Sequence, residues 1–226
     1  DLHLLSRRQR QMCIRDSFIY MQKDTLRYRI GVATYSVGVA YNNRKTSLQF
    51  IQQEMNNITA LSNETCQLGI QSRNMVLYIA KKDSPQPIRL MSSVGKQLPL
   101  YCTGLGRALL AYKSEEEIRN LFPEVLTAYT PHTIATINDL LKELELTRQR
   151  GYAVEHEETN LMVNCIAVSL DYNNAPIAAL SISIPTFRIS ESKEKEAVQI
   201  LWEAKQRIET HFKMLSLIHI SEPTRH

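Results

Sequence analysis

The chain has 226 residues, of which 43% are hydrophobic and 22% are charged, and its formal net charge is +4. This length and composition are typical of a globular protein with one well-buried core and an additional segment, and they exclude a disordered chain. No stretch of the sequence approaches the roughly 20 consecutive apolar residues that a membrane span needs, and the arginine-rich N-terminus has no apolar run behind it that would make a signal peptide.

Cysteine spacing and charge distribution narrow the class further. The four cysteines form no CxxC pair, and none lies at zinc-finger spacing from a histidine. We therefore expect reduced thiols in a cytoplasmic protein, and no metal site. Residues 1–29 hold seven Lys or Arg against three Asp, while the other 20 basic and 20 acidic residues cancel. A neutral body does not suggest a nucleic-acid surface, although the basic N-terminal edge fits either the margin of one or a solvated tail.

The first half of the chain predicts a strand, a long helix and a hairpin. Alternating apolar residues indicate a short strand over residues 26–32, and apolar residues at helical spacing predict a buried helix face over residues 37–65. Residues 66–71 and 75–81 are strand candidates separated by a short polar turn, which is typical of a hairpin. After a proline-containing loop, strand character resumes at residues 88–91.

The second half predicts three helices, then three strands and a last helix. Thr103 is expected to cap a short helix that begins with two glycines, and a second short helix follows at residues 114–121. Thr136 begins a clear amphipathic helix that Gly151 ends. Three strands and a last helix complete the chain, at residues 152–158, 163–170, 176–184 and from about 190. This order favours an α+β fold with an antiparallel sheet over a doubly wound parallel sheet.

The strand pair over residues 163–184 has two chemically different faces. Because successive strand side chains point to opposite faces, Leu180, Ile182 and Ile184 share one aliphatic face. The other face carries small or hydroxylated residues, which are Cys165, Ala167, Ser169, Ala179, Ser181 and Ser183. A loop over residues 171–175 would place Cys165 opposite Ser181. The small face leaves room for either a closely packed helix or a ligand.

The turn from Thr103 to Gly106 is a candidate anion site. A helix start with glycines exposes backbone N–H groups and lets a carboxylate approach closely. An equally good interpretation is that the glycines only permit tight packing. The GLG sequence is not a GxGxxG motif and no GK[ST] occurs, so no nucleotide loop is predicted.

Three glutamates surround His156 on a predicted strand. Strand alternation places Glu155 and Glu157 on one face and Glu158 on the other, with His156. An acidic side chain that reaches a pocket would accept hydrogen bonds from sugar or water hydroxyls, while solvated strand charges are the alternative. Nucleophilic catalysis would need a cysteine beside a histidine, with a third group to orient that histidine. The sequence does not bring such groups together, so we predict no catalytic residue.

Four separated blocks carry a family resemblance. They are YRIG at 28–31, SPQPIRLMSSVGKQLPLYCTGLGRALLAY at 84–112, RGYAVEHEE at 150–158 and NCIAVSLDYNNAPIAALSISIP at 164–185. Together they resemble the effector-binding domain of IclR-type bacterial transcription regulators over roughly residues 20–213. The resemblance implies a curved antiparallel sheet flanked by helices, related to GAF and profilin-like domains. It also implies that a linker helix and a winged helix-turn-helix precede the domain.

The resemblance divides the chain into five segments. These are a non-native-looking tail at 1–17, a remnant of the wing at 18–36, the linker helix at 37–65, the effector-binding domain at 66–214 and a second such tail at 215–226. Both tails resemble translated sequencing-adapter sequence. Since the winged helix would lie upstream of the wing, operator DNA is an expected partner of the full-length protein only.

Position by position, the resemblance also implies an effector site. Its contacts fall on Gly104, Leu105, Glu155, Cys165, Ser181 and Ser183, with Leu90 and Leu98 as apolar walls. The implied effector is a small organic acid or sugar acid, and the implied partner is a second copy of the chain in a dimer or tetramer. No cofactor, metal or membrane is implied.

Two departures from the family pattern leave the effector open. Asn164 stands where an arginine is usual before the strand cysteine, and Ile184 stands where a glycine is common after the second serine. The main alternative function is a small-molecule enzyme that uses Cys165 or Glu155 in the same cavity. A third possibility is a purely structural dimerisation domain.

Overall fold

The computed structural model describes residues 18–22, 27–43, 46–87 and 93–221, and the chain divides into two compact units between Gln49 and Phe50. Several predictions fall outside these described residues. They are the tail at 1–17, the strand at 88–91 with the wall residue Leu90, and the last five residues of the tail at 215–226.

A small hairpin and a helix make up most of the described part of the first unit. Strands β1 (Ile19–Gln22) and β2 (Arg27–Ile30) pair antiparallel and are followed by helix α1 (Val32–Asn43). The Phe18 carbonyl accepts hydrogen bonds from the Gly31 N–H (2.7 Å) and the Thr34 hydroxyl (3.0 Å). These bonds turn the chain at Gly31. The strand predicted over residues 26–32 therefore ends earlier, and Val32 already belongs to a helix.

The helix predicted over residues 37–65 is described in two parts. They are α1, up to Asn43, and helix α2 (Thr46–Ser62), and residues 44–45 between them lie outside the described residues. Helix α2 ends because Asn63 adopts a left-handed conformation, with φ 57°.

The second unit is built on a strongly curled six-stranded antiparallel sheet. Its strands are β3 (Thr65–Ser72), β4 (Met75–Lys82), β5 (Gln97–Pro99), β6 (Ala153–His156), β7 (Val163–Tyr172) and β8 (Ala175–Pro185), in the spatial order β5-β4-β3-β8-β7-β6. The hairpin predicted before residue 82 is confirmed as β3 and β4. The predicted α+β class with a curved antiparallel sheet is confirmed as well.

The register of β7 and β8 differs from the predicted one by two residues. Cys165 lies opposite Ser183, and Ser181 lies opposite Ala167. The turn contains only Asn173 and Asn174, with φ 51° and 61°, and a bulge after Leu170 inserts one further residue. Each of these shifts the pairing by one position relative to the five-residue loop that was expected. Because the total shift is two, every side chain stays on its predicted face.

Helix α6 (Glu191–Ser221) covers the aliphatic face of the sheet. Leu180, Ile182 and Ile184 are fully buried. The inner face of the helix is the predicted one, formed by Ala197, Leu201, Ala204, Ile208 and Phe212, all of them buried. Lys205 also joins α6 to β7, since its Nζ donates to the Ser169 carbonyl (2.8 Å) and pairs with Asp171 (2.7 Å).

Three further helices pack on the small-residue face. They are α3 (Gly104–Leu110), α4 (Glu115–Leu121) and α5 (Ile137–Arg150), and they share one apolar core with the sheet. A Cβ placed on Gly104 would lie 3.4 Å from the Ala167 and Cys165 Cβ atoms, so the small residues admit the start of α3 closely. Across the described part of the chain, no helix is both long and apolar enough to cross a membrane.

Helix α5 is capped at both ends as predicted. The Thr136 hydroxyl accepts from the Asp139 N–H (3.2 Å), and Gly151 ends the helix in a left-handed conformation, with φ 78°. We expect Thr136→Ala to lower the free energy of unfolding by about 1 kcal/mol, measured by urea denaturation. Thr136→Ser keeps the capping hydroxyl and should stay within a few tenths of a kcal/mol of the unsubstituted chain. An equal loss in both variants would contradict the role of the cap.

Candidate functional site

A cavity lies between the N-terminal end of α3 and the small-residue face of the sheet. The empty space there is about 470 Å³ with the open mouth included, and about 20 Å³ of it is wide enough for water. That narrow part holds about one water molecule. The cavity is therefore a cleft whose walls already lie close together.

Six of the eight predicted effector contacts line this cavity. They are Leu98, Gly104, Leu105, Glu155, Cys165 and Ser181. Ser183 is not a lining residue, although it lies opposite Cys165 on the neighbouring strand and its hydroxyl is 3.2 Å from the Cys165 thiol. Leu90 lies outside the described residues. The structure thus brings together residues that are 83 positions apart in the chain, from Leu98 to Ser181.

Seven further residues complete the lining and were not among the predicted effector contacts. They are Gln67, Tyr78, Lys96, Thr103, Thr159, Asn160 and Val163. Gln67 and Tyr78 come from β3 and β4, and their contribution depends on the strand order, which the sequence alone did not provide. Lys96 and Asn160 are exposed at the mouth, where Lys96 brings a positive charge.

A chain of hydrogen bonds crosses three neighbouring strands beneath the cavity. The Cys165 Sγ lies 3.2 Å from the Ser183 Oγ, which in turn donates to the Gln67 Oε1 at 3.0 Å. Because Ser183 is 2% exposed, these bonds satisfy a buried hydroxyl. Ser183 therefore orients Cys165 and Gln67 toward the cavity.

Ser181 has a buried hydroxyl that lines the cavity and has no hydrogen-bond partner among the described residues. The residue is 1% exposed, so its hydroxyl does not reach bulk water. Leaving a buried polar group unpaired costs about 1–3 kcal/mol. A ligand that offers a hydroxyl, carbonyl or carboxylate oxygen at this point would remove that cost.

Glu155 brings an acid into the cavity wall. It lies opposite Cys165 in the β6–β7 pair and is 1% exposed. Its Oε1 accepts hydrogen bonds from the N–H groups of Glu158 (2.5 Å) and Thr159 (3.2 Å). Burial outweighs these bonds and raises the pKa of Glu155 to about 7. Near neutral pH the carboxyl can therefore be a donor in its protonated form or an acceptor in its ionised form.

The predicted alternation of the glutamates fails after His156, where β6 ends. Glu157 has a left-handed φ of 54°, so the chain turns and Glu157 does not share the face of Glu155. Glu158 is buried at 4% exposure and forms an ion pair with Arg107 (2.5 Å), which is itself 2% exposed. Neither member of this pair was predicted. The sequence signal that could have indicated the pair is the position of Arg107 among aliphatic residues of a short helix that is buried throughout.

The arrangement does not support a cysteine nucleophile. Burial, with the Glu155 carboxylate beside it, raises the pKa of the Cys165 thiol well above its ordinary value, so the reactive thiolate is disfavoured. The Cys102 thiol is also buried, which raises its pKa to about 12. The His156 ring is exposed and hydrogen-bonds the Asn164 Oδ1 at 2.9 Å, on the opposite face of the strand from Cys165.

Comparison with known proteins gives a consistent set of relatives. Residues 40–210 match the family described as bacterial transcriptional regulator IclR C-terminal. The HTH-type transcriptional regulator KdgR of Dickeya chrysanthemi is 32% identical over 193 residues, which are 84% of this chain and 63% of KdgR. The HTH-type transcriptional repressor AllR of Escherichia coli K12 is 33% identical over 178 residues, which are 78% of this chain and 66% of AllR. The chain thus spans 63% to 66% of the length of these two relatives.

Solved structures agree with the sequence relatives. The C-terminal domain of the E. coli transcriptional regulator KdgR superposes with a TM-score of 0.66 at 32% identity, covering 73% of this chain and 96% of that domain. The IclR protein of Thermotoga maritima superposes with a TM-score of 0.74 at 29% identity, covering 90% of this chain and 83% of that protein.

Proposed function

The chain belongs to the IclR family of bacterial transcriptional regulators, and from that premise we propose that residues 66–214 are the effector-binding domain of a DNA-binding regulator. In this proposal the domain senses a small molecule and does not transform it. The full-length protein would act in the cytoplasm as a dimer or tetramer on operator DNA.

One observation carries the sensing role, and it is the unpaired hydroxyl of Ser181 inside the cavity. Most buried hydroxyls in native proteins have a partner. Four buried side-chain atoms of the described residues have none, and the Ser181 Oγ is the one of these that lines the cavity. Around Ser181 the wall offers neutral hydrogen-bonding groups and one acid, Glu155, while Lys96 stands at the mouth. This distribution suits a small ligand with hydroxyl or carbonyl groups along its body and a carboxylate that reaches Lys96.

The proposed ligand class is therefore a small organic acid or a sugar acid. Such a molecule is larger than the part of the cleft that admits water, so binding has to move the mouth. Lys96 and Asn160 are exposed there and can move at little cost in buried contacts. A ligand shifts an equilibrium between two conformations only if it binds one of them more tightly. In this proposal the two conformations have a closed and an open mouth, and the ligand binds the open one more tightly.

Helix α2 is the proposed transmitter to the DNA-binding region. It joins directly to β3, which carries Gln67 into the cavity wall. Two contacts hold α2 to α6, namely the Glu54–Arg207 ion pair (2.8 Å) and the stacked rings of Phe50 and His211 (4.1 Å). Because α2 is fixed to the sheet at its end and to α6 along its side, a shift of β3 moves the whole helix.

Ser181→Leu should abolish ligand binding by filling the cleft. The test is a thermal-shift screen with a panel of oxo acids and sugar acids, followed by calorimetry on each hit. We expect at least a 100-fold loss of affinity in Ser181→Leu, equivalent to about 2.7 kcal/mol.

Ser72→Leu is the matched control, because it makes the same change at the far end of β3, outside the cavity. It should bind as the unsubstituted chain does. Equal binding by both variants would exclude this cavity as the effector site. Incubation of each hit with the protein, followed by mass spectrometry, separates the two functions, since conversion of the hit would favour the enzyme.

A further inference from the structure

The guanidinium of Arg107 is buried close to Glu155, the acidic residue of the cavity wall. Arg107 projects from α3, and all of its hydrogen bonds go to protein groups in the interior. Its Nε donates to the Tyr101 carbonyl (3.0 Å), one Nη to the Val154 carbonyl (2.9 Å) and the other Nη to the Glu158 carboxylate. Val154 directly precedes Glu155 on β6, so Arg107 ties α3 to the strand that carries the acid.

Glu158 is held at both its side chain and its main chain. Its Oε2 accepts from Arg107 and from the Ile134 N–H (3.1 Å), and its carbonyl accepts from the Thr133 hydroxyl (2.6 Å). The Glu158 N–H, in turn, donates to the Glu155 Oε1 (2.5 Å). The position of the Glu155 carboxyl is therefore fixed by a residue that is itself fixed by Arg107.

We propose that Arg107 is a positioning residue of the cavity, which acts through Glu158 to hold the Glu155 carboxyl in place and to set its charge. This inference rests on the proposed function only in assigning an effector to the cavity. The contacts from Arg107 to Glu155 are independent of it.

The charges around Glu155 make the effect directional. The titratable and charged groups that face it from the surrounding elements are Cys165, Tyr78, Cys102, Glu158, Lys96 and, behind Glu158, Arg107. The Glu158 carboxylate repels the ionised form of Glu155 and raises its pKa. Arg107 pairs with the Glu158 carboxylate. Loss of the Glu158 charge would remove this repulsion, whereas loss of the guanidinium would leave two neighbouring buried carboxyls that titrate as a coupled pair.

Carbon NMR on the 226-residue chain with [δ-13C]glutamate tests the proposal without any ligand. The Glu155 signal is assigned by its absence in Glu155→Gln, and its pKa is then followed in three variants. In Glu158→Gln the Glu155 signal should titrate in one step, at a lower pH than in the unsubstituted chain. In Arg107→Gln it should titrate in two steps, because Glu155 and Glu158 then share their protons. Glu143→Gln is the matched control, since it breaks a different pair, with Arg150 (2.5 Å), and should leave Glu155 unchanged.

One titration step in Glu158→Gln and two in Arg107→Gln separate positioning from mere loosening. If Arg107 and Glu158 only supported the fold, both changes would admit water, and Glu155 would titrate in a single step nearer its ordinary pKa in both variants. A single step in both variants, or no change in either, would overturn the proposal. If Arg107→Gln does not fold, the Glu158→Gln variant alone tests the proposal. An unchanged or raised Glu155 pKa in that variant would overturn the proposal. A failed ligand screen would affect the proposed function and leave this result standing.

Discussion

Gly106→Ala is expected to destabilise the protein by about 3 kcal/mol or more. A Cβ at this position would lie 2.1 Å from the Leu100 carbonyl oxygen and 2.4 Å from the Leu100 Cα. These are backbone atoms of a fully buried residue, so no side chain can rotate away to make room. The 3-10 turn at Leu100–Cys102 would have to separate from α3, which would disturb both the core and the cavity wall. Urea denaturation followed by circular dichroism measures the loss.

Gly104→Ala is the matched control for this change. Its added Cβ would meet the Ala167 and Cys165 Cβ atoms at 3.4 Å, which is close to ordinary van der Waals contact. Alanine also favours a helix relative to glycine, so the variant should stay within about 1 kcal/mol of the unsubstituted chain. A Gly106→Ala protein that unfolds at the same urea concentration as Gly104→Ala would show that α3 and the preceding turn are not packed as described.

Glu155→Gln should make the protein more stable at high pH than the unsubstituted chain, and the difference should grow with pH. Burial raises the pKa of Glu155 to about 7 in the folded state, against an ordinary value of 4.5. Below pH 4.5 the carboxyl is neutral whether the chain is folded or unfolded, so the folded state bears no penalty. Between pH 4.5 and pH 7 the unfolded chain ionises while the buried carboxyl stays protonated, so up to about 3 kcal/mol of stability is lost, and the loss is complete once the pH passes 7.

Glutamine keeps the oxygen that accepts the Glu158 and Thr159 N–H bonds, but it cannot ionise. The difference in unfolding free energy between the two proteins should therefore appear between pH 4.5 and pH 7 and then level off. Urea titrations at several pH values measure it. Glu116→Gln serves as the control because that side chain is exposed in α4. A pH-independent difference for Glu155→Gln would mean that its carboxyl is not desolvated in the native state.

Local signals predicted most of the secondary structure because they act within a few residues. The caps at Thr103 and Thr136 and the left-handed Gly151 were found where hydroxyl and glycine positions indicated them. The β7–β8 register was wrong because it depends on turn length and on a bulge. Tandem asparagines are compatible with a two-residue turn, but nothing in the sequence marked the extra residue before Ala178.

Only part of the cavity was predictable. Strand alternation placed residues of the paired strands, such as Cys165 and Ser181, on the correct face. A register shift of two residues does not change that face. Gln67 and Tyr78 required the order of the sheet, which brings β3 beside β8. A polar residue between Cys66 and Leu68 was the available signal for Gln67, since all three are buried in one strand. Arg107 was missed because an arginine is usually taken to face solvent.

The two faces of the β7–β8 pair differ in chemistry, and this difference bears on how new specificities arise. Aliphatic side chains of one face are buried under α6, whereas thiol and hydroxyl groups lie on the reverse side, to which the proposed function assigns recognition. Exchanges among the recognition side chains leave the α6 contacts intact. Under the proposed function, mutational drift or directed evolution can therefore change which effector is bound at a small cost in stability, while the same scaffold continues to fold.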